Sequence, residues 1–158
     1  MKKKFLHLVI FLTVTQFSSV LAQSKTKSEK IFVQELNTVL KNSKRHASNY
    51  EDKMTIDTLF AINKEGILSV TLRYTNDSSY KRVRLQAPVK DISLVLYDLY
   101  LILEYTNELV TYFESPWGSE VLYETGKGER FHVGAPLPEN VAYQQRVQKA
   151  LDKVKRYY

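Results

Sequence analysis

The sequence contains no cysteine, and this absence excludes two structural devices. A disulfide framework cannot form, so the folded part of the chain must be held together by its hydrophobic core. A bacterial lipoprotein carries its lipid on a cysteine directly after the signal sequence, and no such residue is present. Anchoring to a membrane by that route is therefore excluded.

The residue patterns of common catalytic sites are missing as well. The sequence has no H-E-x-x-H motif and no G-x-S-x-G motif, and Gly126-Lys127-Gly128 lacks the spacing of a phosphate-binding P-loop. After the first 22 residues, the only histidines are His46 and His132, which lie far apart in the sequence. We therefore predict no enzymatic activity, no metal site and no cofactor.

The first 22 residues have the pattern of a signal peptide. Lys2, Lys3 and Lys4 form a basic segment, Phe5–Val14 is an apolar segment too short to span a bilayer, and small residues precede Gln23. We predict cleavage after Ala22 and export to the periplasm or the medium, with residues 23–158 forming a single domain. The ending Leu-Ala-Gln resembles signals of Gram-negative bacteria. An uncleaved N-terminal anchor helix is the alternative.

Charge and hydropathy limit the classes of partner expected for residues 23–158. Three of the 23 basic residues lie in the leader and all 17 acidic residues follow it, so the formal charge falls from +6 to +3. Nucleic-acid-binding domains usually present a strongly basic face, so we predict no nucleic-acid partner. No later apolar run reaches about 18 residues without a charge, so no transmembrane segment is expected after cleavage.

The stretch Asp91–Phe113 is the most apolar part of the chain after the leader. Large side chains occupy both odd and even positions, so strands here would be buried on both faces, as in the centre of a covered sheet. We predict a strand over Ile92–Leu96, a bend at Tyr97-Asp98 and a hairpin over Leu99–Phe113. The Leu-rich pattern of residues 91–105 also fits a buried helix, and periodicity does not separate the two.

Residues 55–86 have the pattern of a three-stranded meander. A three-residue loop at Lys64-Glu65-Gly66 gives glycine the position that requires a positive φ. This register places apolar residues on one face, with the pairs Ile62–Leu68, Phe60–Val70, Thr58–Leu72 and Ile56–Tyr74. A two-residue turn at Asp77-Ser78 then pairs Leu72 with Val83 and Val70 with Leu85, and Pro88 ends the third strand.

Helices are predicted on both sides of the strands, over residues 23–45 and 138–158. Apolar residues recur there at helical spacing: Phe32, Leu36, Val39 and Leu40 in the first, and Tyr143, Val147, Leu151 and Val154 in the second. The sheet covers residues 55–134 and includes a short last hairpin around Gly126-Lys127-Gly128. The order predicts an α+β protein with an antiparallel meander of about six to eight strands. The topology of Ile56–Tyr158 resembles a pleckstrin-homology-like roll; no residue motif accompanies this resemblance, so it implies no ligand site.

Arginines are predicted to face one another on the outer side of the meander. The register places Arg73 opposite Arg82, Asp57 opposite Arg73, and Arg84 opposite Thr71. Like charges opposed on a sheet repel each other, so the arginine row requires an anion. The anion is either Asp57 or an external phosphate, lipid headgroup or acidic polymer. A solvated, partly salt-bridged face without a ligand is the alternative interpretation.

Trp117 lies between Pro116 and Gly118 in a segment whose composition predicts a loop. A ring of this size in a loop either caps the end of the sheet or stacks on a sugar or a partner protein.

Together these features predict an exported binding domain without catalytic activity. The candidate binding residues are Arg73, Arg82, Arg84 and Trp117, and the partner is an anionic ligand or a protein of the cell envelope. A structural or accessory subunit of an envelope complex is the alternative function. A hydrolase is the third hypothesis, because apolar neighbours of Glu104 and Glu114 would raise their pKa if these residues were buried.

Overall fold

A computed structural model describes the backbone of residues 2–46 and 53–158, and the side chains of residues 23–45 and 53–158. The helices are α1 (Lys2–His46) and α2 (Val141–Val154). The strands are β1 (Lys53–Ile62), β2 (Ile67–Thr75), β3 (Tyr80–Pro88), β4 (Ile92–Asp98), β5 (Tyr100–Tyr105), β6 (Val110–Glu114), β7 (Tyr123–Gly128) and β8 (Arg130–His132). Short 3-10 helices cover Val89–Asp91 and Lys155–Tyr157. The predicted α+β class is confirmed.

All strand pairs are antiparallel, but the strands form two sheets instead of one meander. One sheet has five strands in the order β1-β2-β3-β6-β7, and the other has three in the order β4-β5-β8. The resemblance to a pleckstrin-homology-like roll is not confirmed by this topology.

Both helices pack with the faces that the sequence indicates. In α1 the apolar residues Phe32, Leu36, Val39 and Leu40 are fully buried. In α2 the buried residues are Val147, Ala150, Leu151 and Val154, and the Asn140 side chain caps the first turn by accepting a hydrogen bond from the Tyr143 amide. The helix α1 extends beyond the predicted range 23–45 and begins at Lys2. The cleavage site after Ala22 stays a prediction.

The register of the meander is confirmed for β2 and β3. Leu72 pairs with Val83, Val70 with Leu85, and Arg73 with Arg82. The predicted two-residue turn also forms, because the Asn76 amide donates to the Ser79 carbonyl at 3.0 Å.

The predicted register of β1 and β2 is correct only next to their loop. Ile62 pairs with Leu68, but two register shifts along β1 then pair Thr58 with Thr71 and Ile56 with Leu72. The predicted partners Leu72 and Tyr74 are therefore wrong for these two residues. One of the shifts, between Thr58 and Ala61, includes Phe60, whose backbone bonds the Asn37 side chain of α1 at 2.8 and 3.2 Å. The alternation of residues within β1 does not predict a contact with a helix that is distant in sequence.

The apolar stretch 91–113 forms strands, so the buried-helix alternative is wrong. The strands β4 and β5 make a tight hairpin centred on Leu99, which has a φ of 58°. The hairpin predicted over Leu99–Phe113 is wrong, because β5 pairs with β4 and β8 while β6 pairs with β3 and β7. Leu101, Ile102 and Leu103 are buried, which suits the central strand of the smaller sheet.

The last predicted hairpin, around Gly126-Lys127-Gly128, is also wrong. These residues lie inside β7, which pairs with β6, while β8 pairs with β5. A Cβ on Gly128 would lie 3.0 Å from the Tyr112 ring, so the glycine there makes room for a packed side chain.

Candidate functional site

The outer face of the larger sheet carries the predicted arginines. Arg73 and Arg82 are cross-strand partners on β2 and β3, and both bind one carboxylate, that of Asp57. Arg73 Nε lies 2.9 Å from Asp57 Oδ1, and Arg82 Nε lies 2.7 Å from Oδ2. The register shift in β1 replaces the predicted Asp57–Arg73 pairing with Thr55–Arg73. The expected ion pair nevertheless forms.

A second carboxylate, from the loop between β6 and β7, holds the same two arginines. Glu120 Oε1 lies 3.1 Å from Arg73 Nη2, and Oε2 lies 2.9 Å from Arg82 Nη1. The Tyr80 ring completes the group, with its centroid 4.4 Å from Arg73 Cζ. We call Asp57, Arg73, Tyr80, Arg82 and Glu120 the arginine cluster. Its two positive and two negative charges compensate each other.

The electrostatics of the arginine cluster favour its charged form. The hydrogen bond from Arg73, assisted by that from Arg82, holds the pKa of Asp57 below its ordinary value. A hydrogen bond from the Tyr80 hydroxyl, followed by the charges of the two arginines, lowers the pKa of Glu120. The same bond to Glu120 raises the pKa of Tyr80. Near neutral pH the two guanidinium groups thus have internal anions.

Arg84 is not part of the arginine cluster. Its Nε donates to Thr71 Oγ1 at 3.1 Å, which confirms the predicted cross-strand neighbours. Within the described side chains Arg84 forms no ion pair. Among the described side chains, it is thus the one of the three arginines that pairs with no carboxylate.

Trp117 lies on the segment 115–122, which we call the Trp117 loop. Three attachments fix this loop to the larger sheet, besides the Glu120 ion pairs. The Ser115 amide donates to the Arg82 carbonyl at 2.9 Å, the Arg82 amide donates to Ser115 Oγ at 2.9 Å, and the Gly118 amide donates to the Tyr80 carbonyl at 2.8 Å. The Trp117 loop is therefore held on the arginine cluster.

Apolar side chains of this region are exposed although their backbone is fastened. The exposed fractions are 47% for Trp117, 56% for Val121 and 58% for Tyr123, the first residue of β7. About half of the surface of Trp117 is thus accessible to solvent, and the choice between a cap on the sheet end and a stacking residue stays a prediction.

The structure thus brings Arg73 and Arg82 together and joins them to the Trp117 loop, with Arg84 one step further along β3. Sequence reasoning missed Tyr80 and Glu120. Strand alternation places Tyr80 on the same face as Arg82, so the sequence pattern could have identified Tyr80. Glu120 lies in an irregular loop, where no periodicity indicates where a side chain points.

The residues considered for catalysis are divided between the two sheets: His132 and Glu104 lie on the neighbouring strands β8 and β5, and Glu114 lies on β6. The His132 ring packs on Tyr100 with centroids 4.8 Å apart, and burial lowers the pKa of His132. Glu114 bonds Lys81 at 2.9 Å, and Glu104 lies on β5. The side chain of His46 is outside the described side chains. The described residues contain no group of three or more His, Asp or Glu side chains that could hold a metal ion.

No protein-family model, curated protein or solved structure matches this chain. Within the described residues, no helix combines the length and apolarity needed to cross a membrane.

Proposed function

We propose that the protein is an exported, non-catalytic binding domain that presents the Trp117 loop to a partner protein of the cell envelope. The indole of Trp117, together with Val121 of the same loop, enters an apolar recess of that partner. The predicted signal peptide supports the location, and the absence of a catalytic residue pattern from the sequence supports a role in binding.

One observation carries this proposal: the Trp117 loop is exposed at its apolar side chains and fixed at its backbone. A loop without a partner would gain stability by turning a half-exposed indole inward. Here the ion pairs of Glu120 and three hydrogen bonds, two from loop amides and one to Ser115 Oγ, hold the loop in place instead. Fixing a loop before binding reduces the entropy lost on binding, and tryptophan and tyrosine are enriched among the residues that dominate protein interfaces.

The proposal is tested by affinity purification from the native envelope with Trp117→Ala and a matched control, Val141→Ala. Val141 is 53% exposed at the start of α2, so its substitution by alanine removes exposed apolar surface at a site outside the Trp117 loop. A specific partner should be recovered with the wild type and with Val141→Ala, and at least about tenfold less with Trp117→Ala. Equal recovery with both variants would contradict the proposal.

Anion binding is a second candidate, favoured by the exposure of Glu120. Its side chain is 56% exposed, whereas those of Arg73 and Arg82 are 28% and 19% exposed. A phosphate-like ligand could take the place of this carboxylate, with Arg84 close by as a further cation.

Titration calorimetry with inorganic pyrophosphate at low salt tests this candidate. The Glu120→Gln variant removes the competing charge and should bind at least about tenfold more tightly than the wild type. Added salt should weaken the binding. The absence of binding heat in both proteins would rule out this candidate for phosphate-like anions.

A further inference from the structure

The larger and smaller sheets have four edges, and side chains cover three of them. At β1, the Asn37 amide bonds both the N–H and the carbonyl of Phe60. At β4, Gln148 accepts from the Val95 amide and Gln144 donates to the Val95 carbonyl, each at 2.9 Å. At β8, the Tyr112 hydroxyl donates to the Arg130 carbonyl. Such covers prevent edge strands from pairing with other chains.

The fourth edge, β7, has no such cover among the described residues. Five of its six residues, from Tyr123 to Lys127, are exposed. Its open side presents unpaired backbone groups, which can pair with an added strand.

The alternation of the ladder identifies which backbone groups of β7 point outward. Ser115 bonds Arg82 of β3, and residues of a central strand bond to opposite neighbours in turn. Residues 111, 113 and 115 of β6 therefore bond to β3, and residues 110, 112 and 114 bond to β7. Glu124 and Lys127 lie opposite Phe113 and Thr111. Their N–H and C=O groups consequently point to the open edge.

A register shift makes this edge self-complementary. In a regular strand, residues 124 and 127 would lie on opposite faces. The shift between Tyr112 and Phe113 places one extra residue in β7, so Glu124 and Lys127 share the outer face. They carry opposite charges at equal distances from a point between Thr125 and Gly126.

We propose that two copies of the chain pair antiparallel through β7, about a two-fold axis between Thr125 and Gly126. Glu124 of each copy then faces Lys127 of the other, in two equivalent ion pairs with outward-pointing backbone groups. Tyr123 falls opposite Gly128 of the second copy, so its exposed ring gains a neighbouring surface. The two five-stranded sheets become one continuous sheet of ten strands. The contact is small, so the dimer is weak and depends on concentration.

Charge exchange tests this arrangement without knowledge of any other partner. Sedimentation equilibrium of the purified protein, over about 10 to 500 µM, should show a monomer–dimer equilibrium. Lys127→Glu and Glu124→Lys each place like charges opposite one another and should each weaken the dimer at least about tenfold. Mixed in equal amounts, the two variants restore both ion pairs and should form a heterodimer of wild-type strength.

Two controls separate this contact from other causes of association. Lys64→Glu changes the same charge at a side chain that is 91% exposed, in the β1–β2 loop, and should leave the dimer unchanged. Trp117→Ala should also dimerise, because the Trp117 loop lies outside the pairing residues. A monomeric wild type at every concentration, or no recovery of the dimer in the mixture, would overturn the proposal. Heterodimer formation would itself show that both charge variants are folded.

Discussion

At the scale of single residues, Asp57 organises the outer face of the larger sheet. Its side chain is 15% exposed; Oδ1 accepts a hydrogen bond from Arg73, and Oδ2 accepts from both Arg73 and Arg82. Without Asp57, Arg73 and Arg82 would lie opposite each other with only the exposed Glu120 between them. Strand alternation predicts this arginine pair and its acidic neighbour, because both arginines lie on regular strands. The second carboxylate could not be predicted, since a loop has no fixed side-chain period.

Asp57→Asn should lower the free energy of unfolding by about 1–3 kcal/mol near neutral pH, because two partly buried cations lose a charged acceptor. The pKa of Asp57 is lowered in the folded state, so its contribution is present above the ordinary value of about 3.9 and is lost as the pH falls through the folded value. Urea unfolding at about pH 6 and about pH 2.5 measures this change. The difference between wild type and variant should shrink at the lower pH.

Asp77→Asn is the matched control for this prediction, because Asp77 is exposed in the β2–β3 turn. It should change the free energy of unfolding by no more than about 0.5 kcal/mol. A difference between wild type and Asp57→Asn that stays constant with pH would contradict the role assigned to the carboxylate.

At the scale of elements, the contact between α1 and the chain after β8 depends on Gly134. This glycine has a φ of 85°, and a Cβ there would lie 2.2 Å from Ser43 Oγ and 2.9 Å from Leu40 Cδ1. Ser43 Oγ also accepts a hydrogen bond from the Ala135 amide at 3.1 Å. The close approach of backbone to helix therefore requires a residue without a side chain.

Gly134→Ala should lower the free energy of unfolding by about 2–4 kcal/mol, from the left-handed backbone and the overpacking together. Gly126→Ala is the control, because a Cβ there meets nothing within 4 Å and its φ is not positive. Its cost should stay below about 1 kcal/mol, measured by urea unfolding at low protein concentration. If the two substitutions lowered the free energy of unfolding equally, the packing against Ser43 would not require a glycine at position 134.

The helices and strands show which strand pairings can be predicted from local sequence patterns. The β2–β3 register follows from alternation and a two-residue turn, so the sequence predicts it correctly. In β1, Phe60 is hydrogen-bonded to the Asn37 side chain, and the strand has two register shifts that alternation does not predict. The short polar segment after β5 resembles a hairpin turn, yet β6 crosses to the other sheet. Such partner choices depend on contacts between residues distant in sequence.

At the scale of the whole molecule, one cluster of buried side chains joins both helices and both sheets. Composition and the order of helices and strands predict the α+β class, because these depend on periodicity summed over long segments. The division into two sheets could not be predicted in this way, since both sheets contain strands of the same apolar character. The fold fastens the Trp117 loop to β2 and β3 in the larger sheet and leaves β7 at the edge of the same sheet.

Site-specific photo-crosslinking in the producing cell tests the central claim most directly. A photoreactive phenylalanine analogue replaces Trp117 in one strain and Val141 in another, and mass spectrometry identifies what each position captures. We predict that position 117 captures one specific envelope protein and that position 141 does not. If position 117 captures nothing, captures only a second copy of this chain, or gives the same products as position 141, the proposed role of the Trp117 loop is contradicted.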